Sequence, residues 1–347
     1  MKKIYVLALV LALIFSLAAC SSSNSTEGVD AAANAEISSE TPGAAEAAPT
    51  GMNGGLGNSS VDTSAIKTQY QEVPYGSISA SQTLNIYLPN EGDGPFPIIV
   101  AIHGGAFKMG SATGGDVAAM LQGVNHGYAV VSLNYRLSGE AIFPAAVNDC
   151  KAAIRFIKAN ASTYNLNPDK IAVWGDSAGG NLAAMLGTTG NEIILVNDNQ
   201  ENLEYGSAVQ AVVDWFGPLD FLKMDEQFAA AGITPKFGQT TSETSPESQY
   251  IGQLISNDPE LTQKANPGTY VSTMEADTAP HFLIQHGTAD ANVPSQQSID
   301  FASQLKGVIG ESKVTIELLE GAGHGTEEFT SQENLDKVFS FLDGVLK

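Results

Sequence analysis

One serine in this chain stands among glycines in a pattern suited to nucleophilic attack. Gly175-Asp176-Ser177-Ala178-Gly179 follows the apolar run "KIAVW" and leads into "AGGNLAAML", which reads as a helix start. Glycine serves where a backbone takes positive φ or approaches another group very closely. Strand, tight turn and helix around one hydroxyl therefore predict a sharp bend that lifts the Ser177 Oγ into the open. The five-residue pattern alone is weak, and its context gives it meaning. The helix also aims the N–H of Ala178 at an oxyanion forming beside the serine.

A serine hydroxyl needs a base to take its proton. Five histidines are available. His126, between a helix and a strand, and His281, opening a strand, read as structural. His103 in "IHGGA" and His286 in "QHGTAD" end strands and read as hydrogen-bonding supports for their loops. His324 differs, because "EGAGHGTEE" is a glycine-rich loop after the last apolar run that can carry an imidazole over the sheet edge. A carboxylate must then orient that imidazole. Asp290, in the loop after "FLIQHGTA", occupies the same edge. Asp176 should point away from the nucleophile, while Asp149 and Asp220 suit salt bridges or caps. The resulting order Ser177, Asp290, His324 is that of the α/β-hydrolases, distinct from two other serine-protease orders.

A tetrahedral intermediate needs donors, each worth about 3 to 4 kcal/mol in the transition state. "IHGGAF" offers the backbone N–H groups of Gly104, Gly105 and Ala106 well before the serine.

These residues need a scaffold. Continuous apolar runs at 96–105, 127–137, 170–177, 208–217, 281–290 and 313–321 suit strands buried on both faces of a parallel sheet, whereas 83–89 alternates like a half-exposed strand. Helical patterns lie at 116–125, 144–160, 178–187, 294–306 and 331–346, with Pro144 and Pro294 near helix starts. Strand alternating with helix implies an α/β architecture, with a mostly parallel central sheet and helices on both faces. Residues 219–275 break the pattern and are expected to form an insertion or small cap.

The ends and the composition add boundaries. Met1-Lys2-Lys3 and an apolar run ending at Leu17-Ala18-Ala19-Cys20 read as an export signal over residues 1–20, with Cys20 at a lipidation position. Residues 21–60 are rich in Ser, Ala, Gly and Asn and carry Glu27, Asp30, Glu36, Glu40 and Glu46, which suits a disordered acidic tether. The catalytic domain is expected over 61–347. A net charge of −22 excludes nucleic acid as a partner. With Cys20 acylated, Cys150 has no disulfide partner, and its helical, apolar surroundings suit a buried core thiol.

"HGGAF", "GDSAGGN", "HGTADANVP" and "GAGHG" together resemble the hormone-sensitive-lipase-like bacterial carboxylesterases of the α/β-hydrolase fold, a group that includes acetyl-xylan and feruloyl esterases. The resemblance spans residues 65–347. It implies an eight-stranded, mostly parallel sheet, Ser177 as nucleophile, Asp290 as orienting acid and His324 as base. It also implies oxyanion donors from Gly104–Ala106 and Ala178, with no metal or organic cofactor. Ala106 departs from the pattern, since many members carry a third glycine there. The function expected is hydrolysis of small-molecule or oligosaccharide esters, with short or aromatic acyl groups, by an exported lipoprotein held at a membrane. A peptidase on the same fold and a non-catalytic solute-binding lipoprotein are the alternatives.

Overall fold

The computed structural model describes residues 60–347 except 191, 193, 195–198 and 200. The expected signal over 1–20, Cys20, and the tether up to residue 59 lie outside the described residues.

Eight strands, β1 (Gln69–Pro74), β2 (Thr83–Tyr87), β3 (Phe96–Ile102), β4 (Ala129–Leu133), β5 (Leu166–Asp176), β6 (Ala211–Trp215), β7 (His281–Gly287) and β8 (Val314–Leu319), form one sheet. Their order is β1-β2-β4-β3-β5-β6-β7-β8. The β1/β2 and β2/β4 pairs are antiparallel and every later pair is parallel. The carboxyl ends of β3 and β5 to β8 therefore share one edge, where ligands of open α/β sheets bind.

The helices are α1 (Ala118–Leu121), α2 (Ala145–Ala159), α3 (Ala178–Thr189), α4 (Met224–Ala231), α5 (Pro246–Ile251), α6 (Pro259–Lys264), α7 (Gln296–Ile309), α8 (Glu327–Thr330) and α9 (Gln332–Leu346). They cover both faces, and successive strand residues point to opposite layers. Ile98, Val100 and Ile102 pack in a core with Val147 and Ile154 of α2, Leu182 and Met185 of α3 and Leu305 of α7. Ile99 and Ala101 pack in a second core with Met120 of α1 and Val338 and Phe339 of α9. A strand buried on both sides gains from every residue being apolar, which is why "IIVAI" runs without interruption. Cys150 is a fully buried free thiol in the first core.

Three local features differ from the pattern in the sequence. β1, "QYQEVP", has no apolar run and was not expected; it is an edge strand with a register shift between Tyr70 and Val73. Because β1 shields β2, the strand over Thr83–Tyr87 is covered instead of half-exposed, and its inward Asn85 side chain accepts the N–H of Glu72 at 2.8 Å. The helix expected over 116–125 is only the short α1, flanked by 3₁₀ turns at Gly115–Val117 and Gln122–His126. Glycines at both ends of that stretch disfavour a continuous α-helix.

The 219–275 segment forms α4, α5, α6 and a 3₁₀ turn at Pro267–Thr273. α5 and α6 each start with proline, and the caps Ser245 and Asp258 accept the N–H groups of Ser248 and Leu261. Phe221, Met224, Phe228, Tyr250 and Ile255 are buried in the same core as α2 and α3. The Tyr250 ring stacks 3.9 Å from that of Phe107, just beyond β3.

A buried ion pair ties α2 to the chain leaving β4. Asp149 of α2 meets Arg136, after β4, at 2.7 Å, with both side chains almost fully buried. The carboxylate also accepts the Arg136 N–H at 2.9 Å and the Gln82 amide at 2.7 Å. Removing one partner of such a pair leaves a buried charge without its counterion. Asp149→Ala should lower stability in urea unfolding by about 3 to 5 kcal/mol; a loss below about 1 kcal/mol, the range of exposed pairs, would contradict this role.

Candidate active site

The turn from β5 into α3 takes a single residue. Ser177 has φ 51° and ψ −119°, and Ala178 already begins the helix. Such an abrupt change brings backbone against backbone. A Cβ built on Gly179 would stand 2.1 Å from the carbonyl oxygen of Ile102 in β3, and one on Gly175 would stand 2.1 Å from that of Gly179. Only hydrogen fits at either position. The left-handed conformation at Ser177 carries strain. It is held by the Ser177 N–H donating to the Trp215 carbonyl of β6 at 2.8 Å, and by the Asn181 N–H donating to the Ser177 carbonyl at 3.1 Å.

Residues distant in the chain meet at this bend. His324 Nε2 lies 2.9 Å from Ser177 Oγ, and its Nδ1 lies 2.6 Å from Asp290 Oδ2. A carboxylate can only accept, so Nδ1 carries the proton and the Nε2 lone pair is free to receive the serine proton. The other oxygen of Asp290 accepts the N–H groups of Asn292 at 2.7 Å and Val293 at 3.0 Å. Burial by itself would raise the Asp290 carboxyl, but the facing His324 and His286 hold it well below the usual carboxylate range. It is thus a fixed negative charge. The His324 side chain is 16% exposed, which leaves the imidazole reachable from solvent.

The loop after β3 has three successive left-handed residues, with φ of 103° at Gly105, 56° at Ala106 and 60° at Phe107. Ala106 therefore adopts a conformation that suits glycine, and its N–H is retained. Beneath the loop, His103 is buried and burial pushes it down to about 4, so the ring is neutral at pH 7. Its Nδ1 donates to the Gly104 carbonyl at 2.8 Å, and the ring stacks on Tyr135. The Tyr135 hydroxyl in turn donates to the His103 carbonyl at 3.0 Å. Asp176 turns beneath Gly104, whose added Cβ would lie 2.8 Å from its Oδ2. Burial pushes this carboxyl well up, the nearby Asp116 adds to the push, and the Gly104 N–H opposes it.

The remaining candidates are elsewhere. His126 stacks on Phe339, and His281 opens β7. Asp220 pairs with Lys223. Asp149 belongs to the ion pair above. One residue at the site carried no usable signal in the sequence: Phe216, with φ 43°, packs its ring 4.5 Å from that of His324. His286, expected to support its loop, hydrogen-bonds the Val293 carbonyl at 3.0 Å and stands behind Asp290. No group of three or more potential metal ligands is assembled among the described residues.

If the bend is strained, removing the side chain alone should not relax it. Alanine keeps the Cβ, whereas glycine tolerates positive φ. Ser177→Gly should be more stable than Ser177→Ala by about 1 kcal/mol in thermal unfolding, after the entropic cost of glycine. Equal stability, or a less stable glycine variant, would remove the strain.

With this geometry in hand, comparisons identify the family. The BD-FAE family model matches residues 84–305, a stretch containing Ser177 and Asp290. The chain is similar to a probable carboxylic ester hydrolase, LipM, of Mycobacterium tuberculosis, with 30% identity over 71% of this chain and 54% of that protein. The chain spans about half the length of the curated relatives it matches. Among solved structures it resembles a truncated carbohydrate esterase from gut microbiota, with a TM-score of 0.72 and 29% identity over 82% of this chain and 99% of that one. It also resembles a bifunctional GH43-CE protein of Bacteroides eggerthii, with a TM-score of 0.69 and 30% identity over 80% of this chain and 35% of that one. The family match, together with a mostly parallel eight-stranded sheet and a serine elbow at its carboxyl edge, makes this chain a member of the BD-FAE family on the α/β-hydrolase fold.

Proposed function

We propose that this protein hydrolyses carboxylic esters through an acyl-enzyme, with Ser177 as nucleophile, His324 as base and Asp290 as the acid that orients it. The observation that carries the proposal is the unbroken chain from Ser177 Oγ to His324 at 2.9 Å and from His324 to Asp290 at 2.6 Å. His324 takes the hydroxyl proton as Oγ attacks the ester carbonyl, and the carbonyl π electrons move onto oxygen. N–H groups from Gly105, Ala106 and Ala178 stabilise that oxyanion, whereas the Gly104 N–H, also expected there, faces the Asp176 carboxyl instead. The imidazolium then returns its proton to the departing alcohol, leaving the acyl group on Ser177. Water, deprotonated by the same histidine, attacks the acyl-enzyme and releases the acid.

The substrates proposed are esters of short or aromatic acids, including those on plant polysaccharides. The similarity to a truncated carbohydrate esterase along 99% of that chain supports a sugar-borne ester. Residues Leu17-Ala18-Ala19-Cys20 support export and a lipid anchor at Cys20, which would hold the enzyme at a membrane.

The purified protein should hydrolyse p-nitrophenyl acetate, and within an ester panel favour acetylated xylan or methyl ferulate over long-chain esters. Ser177→Ala should lower kcat by at least about 10³-fold. Retained turnover in that variant would remove Ser177 as nucleophile, and comparable rates on a peptide anilide would favour a peptidase. In a bacterial host the full chain should fractionate with membranes, and Cys20→Ser should release it. A soluble wild-type chain would contradict the anchor.

A further inference from the structure

We propose that His286 is a positioning residue for the reaction, holding the Asp290 carboxylate between two imidazoles so that it serves His324 alone. The inference rests on the hydrolase reading above and extends it by one member of the hydrogen-bond chain.

His286 ends β7, four residues before Asp290, and its side chain is fully buried. Its Nε2 lies 3.0 Å from the carbonyl oxygen of Val293 and 3.4 Å from Asp290 Oδ2. A carbonyl can only accept, so Nε2 carries a proton and donates it to Val293, with the carboxylate oxygen beside the same N–H. On the far side of the ring, Nδ1 lies 2.7 Å from the Ser298 hydroxyl of α7. Held at both nitrogens, the ring keeps its Nε2–H toward the Val293 carbonyl and Asp290. Ser298, His286, Asp290, His324 and Ser177 thus form one line through the protein.

The physical consequence lies in Asp290. Its Oδ1 already accepts the Asn292 and Val293 N–H groups, so Oδ2 is the oxygen left for His324. Without a positive edge behind it, Oδ2 would draw the His324 proton more strongly. The His286 N–H, 3.4 Å from Oδ2, opposes this electrostatically, and by holding the Val293 carbonyl it keeps in place the loop whose N–H groups aim the carboxylate. The charged and titratable groups around the pair come from several elements. Asp290 faces His324 and His286, and His286 faces Asp290 and, from β6, Asp214. Opposite His286 in β8 is the uncharged Leu318. Burial pushes Asp214 up to about 6. His286 opposes that push, and both His286 substitutions remove the opposition alike, so the titration of Asp214 does not separate them.

Two substitutions of similar size separate donor from filler. His286→Gln keeps a side-chain N–H, and His286→Met removes it. Initial rates on p-nitrophenyl acetate are measured from about pH 5 to 9. His286→Met should lose about tenfold in kcat with KM within about twofold, because a misaimed carboxylate costs the chemical step more than binding. Its acid limb should move up by about half a pH unit, since a less neutralised Asp290 holds the proton on His324 more tightly. His286→Gln should recover most of the rate and the wild-type limb. An unchanged His286→Met, or equal losses in both variants with the limb unmoved, would overturn the proposal. Should His286→Met fail to fold, Ser298→Ala decides. Loss of the hydroxyl should move the acid limb in the same direction, with about a two- to threefold rate loss at its foot, and an unmoved limb overturns the role. A wild-type protein that turns over no ester refutes the hydrolase reading, whereas an active wild type with indifferent His286 variants refutes this inference alone.

Discussion

The carboxyl edge of this sheet depends on one close approach, the contact of α3 with β3 at Gly179 and Ile102. A helix that begins a single residue after its strand must lie so near the neighbouring strand that no side chain fits between them. The cost is a left-handed Ser177. The return is a hydroxyl that reaches the His324 imidazole, with a helix N-terminus beside it. Neighbouring strands hold the strain in place, since β3 limits where α3 can sit and β6 receives the Ser177 N–H. The strained loop after β3 is set in the same way. His103 is neutral because it is buried, and it spends its ring N–H on the Gly104 carbonyl.

Electrostatics then sorts the buried acids at this edge into two kinds. Asp290 is surrounded by donors and stays ionised, so it can stabilise a positive charge on His324. Asp176 and Asp214 lie under the elbow, and burial pushes both upward, to about 6 for Asp214. The resistance of Asp176 to ionisation reduces the negative charge close to a developing oxyanion. In a chain of net charge −22, that local distinction matters more than the overall sign.

Much of this was legible in the sequence because local chemistry and spacing coincide. The strand before Gly175 and the helix after Ala178 made the elbow readable. The glycines around His324 announced a loop able to reach across the edge. Strands β3 to β7 stood out as apolar runs because both of their faces are buried, whereas β8, at the sheet edge, leaves Thr315 and Leu318 exposed despite its apolar run. β1 did not, since a solvated edge strand needs no apolar pattern. The packing of 219–275 was also hidden. Its short helices and 3₁₀ turns bury isolated residues such as Phe221 and Tyr250, too sparsely spaced to form a periodic signal. The contacts of Phe216 and His286 with the site depend on tertiary closeness. A histidine four residues before an aspartate in a loop has no fixed direction until β7 and α7 are packed.

The central claim is that Ser177 is activated by His324, and the most direct measurement is mass-spectrometric mapping of the adduct formed with a fluorophosphonate. The account predicts one adduct, on the peptide containing Ser177, formed rapidly in the wild-type protein and essentially absent in His324→Ala. An adduct on another serine, or equal labelling of Ser177 without the imidazole, would contradict it.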